Sequence, residues 1–182
     1  MSQINYNTLI IENLLKGSNH VRGIAEDIGT NQTTASRKLK ELYEENVVDF
    51  RHEGKNKVYF LKKSLEAKQY ACIAEQHKAI RIINKHPFMR KIFEELRKIE
   101  NIHLAILFGS YAKGNPDRNS DIDIYLETTD PNLKKQAERI DSRIRAKIGK
   151  YDKDSILIKE IRKNHVIIKG VEEYYEKNSV PE

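Results

Sequence analysis

Phe108 to Leu126, FGSYAKGNPDRNSDIDIYL, decides how this chain reads. It opens at the end of the apolar run His103-Leu104-Ala105-Ile106-Leu107-Phe108, short enough for a buried strand. Gly109-Ser110 follow at once, then small, polar and basic residues to Ser120, then Asp121-Ile122-Asp123-Ile124-Tyr125-Leu126. Alternate strand residues point to opposite faces, so Asp121 and Asp123 share one face while Ile122 and Ile124 bury the other. Two carboxylates about 7 Å apart along a strand repel each other and lose solvation when shielded. A divalent cation relieves both, and an oxygen-only site suits Mg²⁺, which keeps waters and takes phosphate oxygens as further ligands. Gly109 leaves the backbone open to approach. Ser110 offers a hydroxyl, and Tyr111-Ala112-Lys113 reads as the first turn of a helix, whose free N–H groups attract anions.

The elements around this stretch are expected as follows. An amphipathic helix covers Phe88 to Leu96. A turn at Thr129-Asp130-Pro131 leads into a helix from about Asn132 to Ile148, stopped by Gly149. Tyr151 to Ile158 reads as a third strand, and His165 to Tyr175 as a last helix.

Gly-Ser, ten residues, then Asp-x-Asp, with a strand before and a strand within, resembles the signature of the DNA polymerase β-type nucleotidyltransferases. The resemblance is closest to the minimal nucleotidyltransferases of archaea and bacteria and covers roughly residues 87 to 178. It implies transfer of a nucleoside monophosphate from ATP or another NTP to an acceptor hydroxyl, with two Mg²⁺ ions. Asp121 and Asp123 would hold the metal, and Gly109 and Ser110 the phosphates, with Lys113 and Arg118 neutralising their charge. It also implies a third carboxylate on the strand after the helix, to help hold metal and take the acceptor's proton. Asp154 fits that role best and Asp152 is the alternative. Family members of this size act as antitoxins that add AMP to a tyrosine of a HEPN-type toxin, which makes such a protein a candidate partner.

The front of the chain has a different grammar. Asn7 or Thr8 can cap a first helix ended by Gly17-Ser18-Asn19. Val21, Ile24, Ala25 and Ile28 have helix spacing, and Gly29 stops them. Thr30 or Asn31 caps a third helix running to about Asn46, with Thr34, Ala35, Leu39, Leu42 and Tyr43 facing inward. Two β-rich runs, Val47 to His52 and Lys57 to Leu61, flank the turn Glu53-Gly54-Lys55-Asn56 as a hairpin. Three helices and a two-stranded wing over residues 5 to 62 resemble the winged-helix DNA-binding domains of small bacterial and archaeal regulators. That resemblance implies double-stranded DNA as a partner. Gln32, Thr33, Ser36, Arg37 and Lys40 would face a major groove, and Arg51, Lys55 and Lys57 of the wing would reach phosphate or the minor groove. Ser64 to His86 is one long helical pattern broken by Pro87. It either pairs with its copy in a homodimer or serves as the rod between domains. His77 and His86 read as surface residues.

The fold class expected is therefore α+β: a winged helix at 1–63, a linking helix at 64–86, and a small mixed sheet with helices at 87–182. The 182 residues suffice for two small domains. With charged residues at 33 % and a mean hydropathy of −0.70, the surface is strongly ionic. No apolar run approaches the roughly 20 residues of a membrane span. MSQINYNTLI lacks the basic and apolar regions of a secretory signal. A single cysteine, Cys72, excludes an internal disulfide and suits a reducing cytoplasm. The net charge is +6. Its excess lies mostly in residues 1–86, with 14 Lys and Arg against 10 Asp and Glu, which favours a polyanionic partner there. Two functions follow as expectations. One is a nucleotidyltransferase carrying a DNA reader. The other is a DNA-binding regulator whose nucleotidyltransferase-like part senses nucleotide or a partner without catalysis.

Overall fold

The computed structural model describes residues 5–178, so the first residues of the stretch read for a signal lie outside it. The chain divides between His77 and Lys78 into two compact units. Among the described residues no helix is long and apolar enough to cross a membrane.

In the first unit, α1 (Tyr6–Leu14), β1 (Asn19–His20), α2 (Val21–Asp27) and α3 (Gln32–Glu44) precede β2 (Val48–Glu53) and β3 (Asn56–Leu61). Asn31 caps α3, its side chain accepting the Thr34 N–H at 2.8 Å. The hairpin pairs Val48 with Leu61 and Glu53 with Asn56, leaving a two-residue turn. Gly54 takes the first turn position at φ +62°, where a side chain would be strained. The short β1 adds to the other edge, giving the order β1-β3-β2. Ile10, Ile24, Ala35, Leu39, Leu42 and Val47 form the buried interior. This is the expected winged-helix order. Tyr43 departs from it: it is exposed, and its ring tilts against Phe50.

The helix α4 (Leu65–Lys85) buries its alanines, Ala67, Ala71, Ala74 and Ala79. Leu65, Ile73 and Ile80, apolar residues of the same helix, are exposed.

The second unit continues with α5 (Met89–Lys98), β4 (Ala105–Leu107), α6 (Gly109–Lys113), β5 (Ile122–Glu127), α7 (Pro131–Glu138), β6 (Ile144–Gly149), α8 (Ile156–Lys163), β7 (Val166–Lys169) and α9 (Val171–Asn178). The sheet order is β6-β5-β4-β7, with β5 and β6 parallel and β4 antiparallel to both its neighbours. One face packs Ile122, Ile124, Leu126, Ile144 and Ala146 into a core with Ile92, Phe93 and Leu96 of α5. Fully burying an isoleucine contributes roughly 1.5–3 kcal/mol. A one-residue slip of β5 would turn Ile122 and Ile124 out of the core, so the register that sets the Asp face is firmly specified.

Three expected elements are corrected. The helix from Asn132 ends at Glu138, and residues 144–149 form β6 instead. The Asp141 side chain accepts both the backbone N–H and the guanidinium of Arg143, fixing the turn between them. The strand expected at Tyr151 to Ile158 is a turn followed by α8, because Ser155 caps a helix by accepting the Ile158 N–H. The helix expected from His165 splits into β7 and α9 at Gly170, whose φ of +84° breaks regular structure.

Candidate functional site

Chain reversal after β4 brings the Gly109-Ser110 turn onto the Asp face of β5. The Phe108 N–H donates to the Asp123 carbonyl at 3.0 Å. Gly109 sits at φ +71°, and a Cβ there would lie 2.2 Å from Asp123 Oδ2, so only glycine admits the carboxylate this close to the turn. Ser110 follows as a partly buried residue of α6, and its carbonyl accepts the Asn115 N–H at 3.1 Å. Tyr111 is buried, its ring edge-on to His86 at 5.2 Å. His86, expected at the surface, is thus half-buried, and burial pushes its imidazole below the usual range.

The polar face of β5 carries Asp121, Asp123, Tyr125 and Glu127. Its far end is roofed by Tyr151, which packs on Tyr125 and on Tyr174 of α9. Lys177 of α9 pairs with Glu127 at 3.0 Å. That leaves the Asp pair at the open end. Burial first, then Asp121, push the Asp123 carboxyl above its ordinary range. Lys147 and Arg145 oppose the shift, and Glu160 adds to it.

The parallel register places Arg145 of β6 beside Asp123 and Lys147 beside Tyr125. Arg145 Nη2 lies 3.2 Å from Asp121 Oδ1. Lys113 ends α6 and lies 3.6 Å from Glu160 of α8. Arg118 is exposed in the loop between α6 and β5, where Ser120 accepts the Asp117 N–H at 2.7 Å.

The structure thus brings Gly109, Ser110, Asp121 and Asp123 together. It does not bring Asp154 to them as a strand residue. Asp154 lies in the turn before α8, its side chain 93 % exposed and 3.6 Å from Lys159. Asp152 accepts the Asp154 N–H in the same turn. Among the described residues no group of three His, Cys, Asp or Glu side chains is arranged to hold a metal ion. Sequence reasoning missed Arg145, Lys147 and Glu160. The signal for the first two was present as the alternation Ile144-Arg145-Ala146-Lys147-Ile148.

The donor set fits a hard cation. Two oxygen ligands, one of them destabilised as an anion by burial and by its neighbour, gain from a positive charge. The missing side chain at Gly109 is what lets the Asp123 carboxylate sit against the turn.

On the first unit, Gln32, Thr33, Ser36, Arg37 and Lys40 are all exposed on α3, and with Val21 they line an open depression of about 690 Å³. Arg37 pairs with Glu41 at 2.9 Å and Lys40 with Glu44 at 3.7 Å, both exposed pairs one helical turn apart and easily exchanged. On the wing, Arg51 reaches Glu53 and Ser18, and Lys57 lies over the Phe50 ring at 3.9 Å. Lys55 is exposed in the hairpin turn.

Three comparisons bear on these surfaces. The family model described as polymerase beta, nucleotidyltransferase matches residues 90–174. No curated protein matches the chain. Among solved structures, the transcriptional repressor BigR from Xylella fastidiosa is similar at 25 % identity over 37 % of this chain and 67 % of its own, with a TM-score of 0.35. A homodimeric winged helix-turn-helix DNA-binding domain from Mycobacterium bovis, a possible ArsR-family regulator, is similar at 25 % identity over 47 % of this chain and 72 % of its own, TM-score 0.35. A crystal structure of a possible transcriptional regulatory protein from the same organism is similar at 30 % identity over 38 % of this chain and 75 % of its own, TM-score 0.36.

Proposed function

We propose that this chain moves a nucleoside monophosphate, AMP foremost, from an NTP to an acceptor hydroxyl, and that its front unit binds double-stranded DNA; the match of residues 90–174 to the polymerase beta nucleotidyltransferase model supports the first part. The observation that carries the reading is the Gly109 turn packed against the Asp123 carboxylate. The Ser110 hydroxyl and the open backbone at Gly109 would hold the triphosphate. Lys113 and Arg118 would balance its charge. Asp121 and Asp123 would hold Mg²⁺, which neutralises phosphate charge and acidifies a nearby hydroxyl when bound. Two carboxylates support one ion, and a second would draw its ligands from the nucleotide and the acceptor.

In the transfer, the acceptor oxygen forms a bond to the α-phosphorus, the bond to the bridging oxygen breaks, and pyrophosphate leaves. The acceptor must also lose a proton. With Asp154 turned to solvent beside Lys159, an acceptor that is already acidic would depend least on that carboxylate. A phenol, with a pKa of about 10, meets that need far better than a sugar hydroxyl. This supports a tyrosine of a partner protein, such as a HEPN-type toxin, as acceptor.

The basic, exposed α3 and wing support DNA binding through Gln32, Thr33, Ser36, Arg37 and Lys40, with Arg51, Lys55 and Lys57 at the backbone. On this reading, residues 1–63 read DNA, 64–86 link, and 87–182 carry the chemistry. Leu65 and Ile73, exposed on α4, would be where two copies pair.

A second reading has its own support. The Arg145–Asp121 pair occupies a metal-binding carboxylate, as suits a regulator that senses nucleotide without turning it over. One experiment separates the two. The full chain is incubated with Mg²⁺, α-labelled NTPs and the products of its neighbouring genes as acceptors, with Asp121→Asn/Asp123→Asn as control. Label on the acceptor, lost in the control, establishes transfer. Nucleotide binding and a salt-sensitive DNA shift without label transfer establish the regulator. If neither occurs, both readings fail.

A further inference from the structure

On the face where the resemblance led to an acid, the strand beside β5 presents bases. Arg145 stands next to Asp123 and Lys147 follows two residues along. The Arg145 guanidinium is anchored at one end, with Nη1 donating to the Ser142 carbonyl at 2.9 Å and to the Ile144 carbonyl at 3.2 Å. Its other end, Nη2, holds Asp121. A guanidinium carries five N–H donors in a rigid fork, so this one keeps unused donors aimed by its anchor.

The pair it makes is weak. Both side chains are about half exposed, at 53 % and 50 %, and such pairs contribute at most about a fivefold factor. A phosphate offers the fork two oxygens and more charge than a carboxylate. Lys113 is held no more tightly by Glu160. Three acids, Asp121, Asp123 and Glu160, are thus offset by three bases, Lys113, Arg145 and Lys147. A triphosphate entering this site meets no net negative charge.

We propose that Arg145 is a triphosphate-binding residue that clasps Asp121 until a nucleotide arrives and then transfers to its phosphates, so that nucleotide enters without a divalent cation and releases the carboxylate that the cation needs. Two consequences follow, of opposite sign for one substitution. Without nucleotide, Arg145 competes with a divalent cation for Asp121. Without a cation, Arg145 holds the nucleotide. The proposal rests on the reading of this site as a nucleotide site.

The test uses the folded full chain, its integrity checked by circular dichroism. ATP binding is measured by calorimetry in EDTA and in Mg²⁺. Binding of Mn²⁺ alone is followed by electron paramagnetic resonance. Wild type, Arg145→Gln and Arg145→Lys are compared. Wild type is expected to bind ATP in EDTA within about tenfold of its affinity in Mg²⁺. A lost charged hydrogen bond is worth about tenfold or more. Arg145→Gln should therefore weaken ATP binding in EDTA by about tenfold and tighten Mn²⁺ binding severalfold. Arg145→Lys, with charge but no fork, should fall between and serves if the Gln variant misfolds. Unchanged ATP affinity in EDTA, or Mn²⁺ binding that weakens, overturns the proposal. Wild type that binds ATP in Mg²⁺ but not in EDTA overturns it and leaves the nucleotide site standing. Wild type that binds no ATP in either overturns both.

Discussion

Gly109→Ala measures how tightly the turn and the carboxylate are locked together. The residue sits at φ +71°, and the new Cβ would lie 2.2 Å from Asp123 Oδ2, 3.0 Å from its Cγ and 3.2 Å from its Cβ. Left-handed backbone costs an L-residue about 1–2 kcal/mol. Forcing the carboxylate or the turn aside adds about 1–3 kcal/mol, as overpacking does. The loss should then be about 2–5 kcal/mol, against about 1–2 kcal/mol for Gly114→Ala. Gly114 has φ +81° but only Lys85 Nζ, at 3.9 Å, near its added Cβ. In an Asp123→Ala background the 2.2 Å contact is gone and only the 3.2 Å approach to the Cβ of residue 123 remains, so Gly109→Ala should cost close to what Gly114→Ala does. The coupling between the two sites should be about 1–3 kcal/mol. Hydrogen exchange of peptides covering residues 104–126 is the suitable assay, because the chain has two units and need not unfold in one step. If Gly109→Ala costs the same in both backgrounds, or no more than Gly114→Ala, the turn does not rest on the carboxylate and the reasoning fails.

Two further predictions concern pH. Asp123 titrates above its ordinary 3.8, so the folded state favours its protonated form; that contribution is present below 3.8 and lost as pH rises through the raised value. Asp123→Asn should therefore raise the melting temperature at pH 7, and the gain should vanish toward pH 3; a gain that persists at pH 3 would contradict the burial argument. Asp141 is the opposite case, lowered to about 2 chiefly by the hydrogen bond from the Arg143 side chain, so its contribution is present above 3.8 and lost as pH falls through about 2. Arg143→Gln should destabilise the chain at neutral pH, with the deficit shrinking from pH 4 to pH 2. A remainder should persist from its stacking on Phe88, where the guanidinium lies 4.3 Å from the ring centre.

What was legible in the sequence was local and self-contained. Asn31 capping α3 and Gly54 turning the wing are choices made by one residue against its own backbone, and both stand in the structure. The Asp pair was legible because Asp121 and Asp123 alternate with the buried Ile122 and Ile124. The region after Asp130 was not, because its apolar residues satisfy two periods at once. Leu133, Ala137, Ile140, Ile144 and Ile148 recur every three or four residues, as one helix would require. Ile144, Ala146 and Ile148 also alternate, as a strand would. Tertiary pairing with β5 selected the strand, and no local signal could weigh that contact. At 151–158 the apolar Ile156-Leu157-Ile158 suggested a strand, yet Ile156 is 87 % exposed and only Ile158 and Ile161 face inward at helix spacing. Ser155 had announced the helix as its cap.

The error at β6 bears directly on the chemistry. A spacing motif fixes residues that lie on one strand and the turn before it. It says nothing about which residue of the next strand stands beside them, since that depends on where the chain re-enters the sheet after a crossover. Here the re-entry register gives Asp123 a neighbour of opposite charge. An acid at that position would make the site a strong cation trap that repels triphosphate until a metal is bound. On the proposal above, a base there would bring the site close to neutral and let nucleotide enter first. The same two features then constrain function from both sides. If the chain transfers nucleotide as proposed, an acceptor that gives up its proton readily, such as a phenol, would depend least on Asp154. If it does not, the Gly109 turn against Asp123 and the half-exposed Arg145–Asp121 pair would still suit the proposed nucleotide sensor.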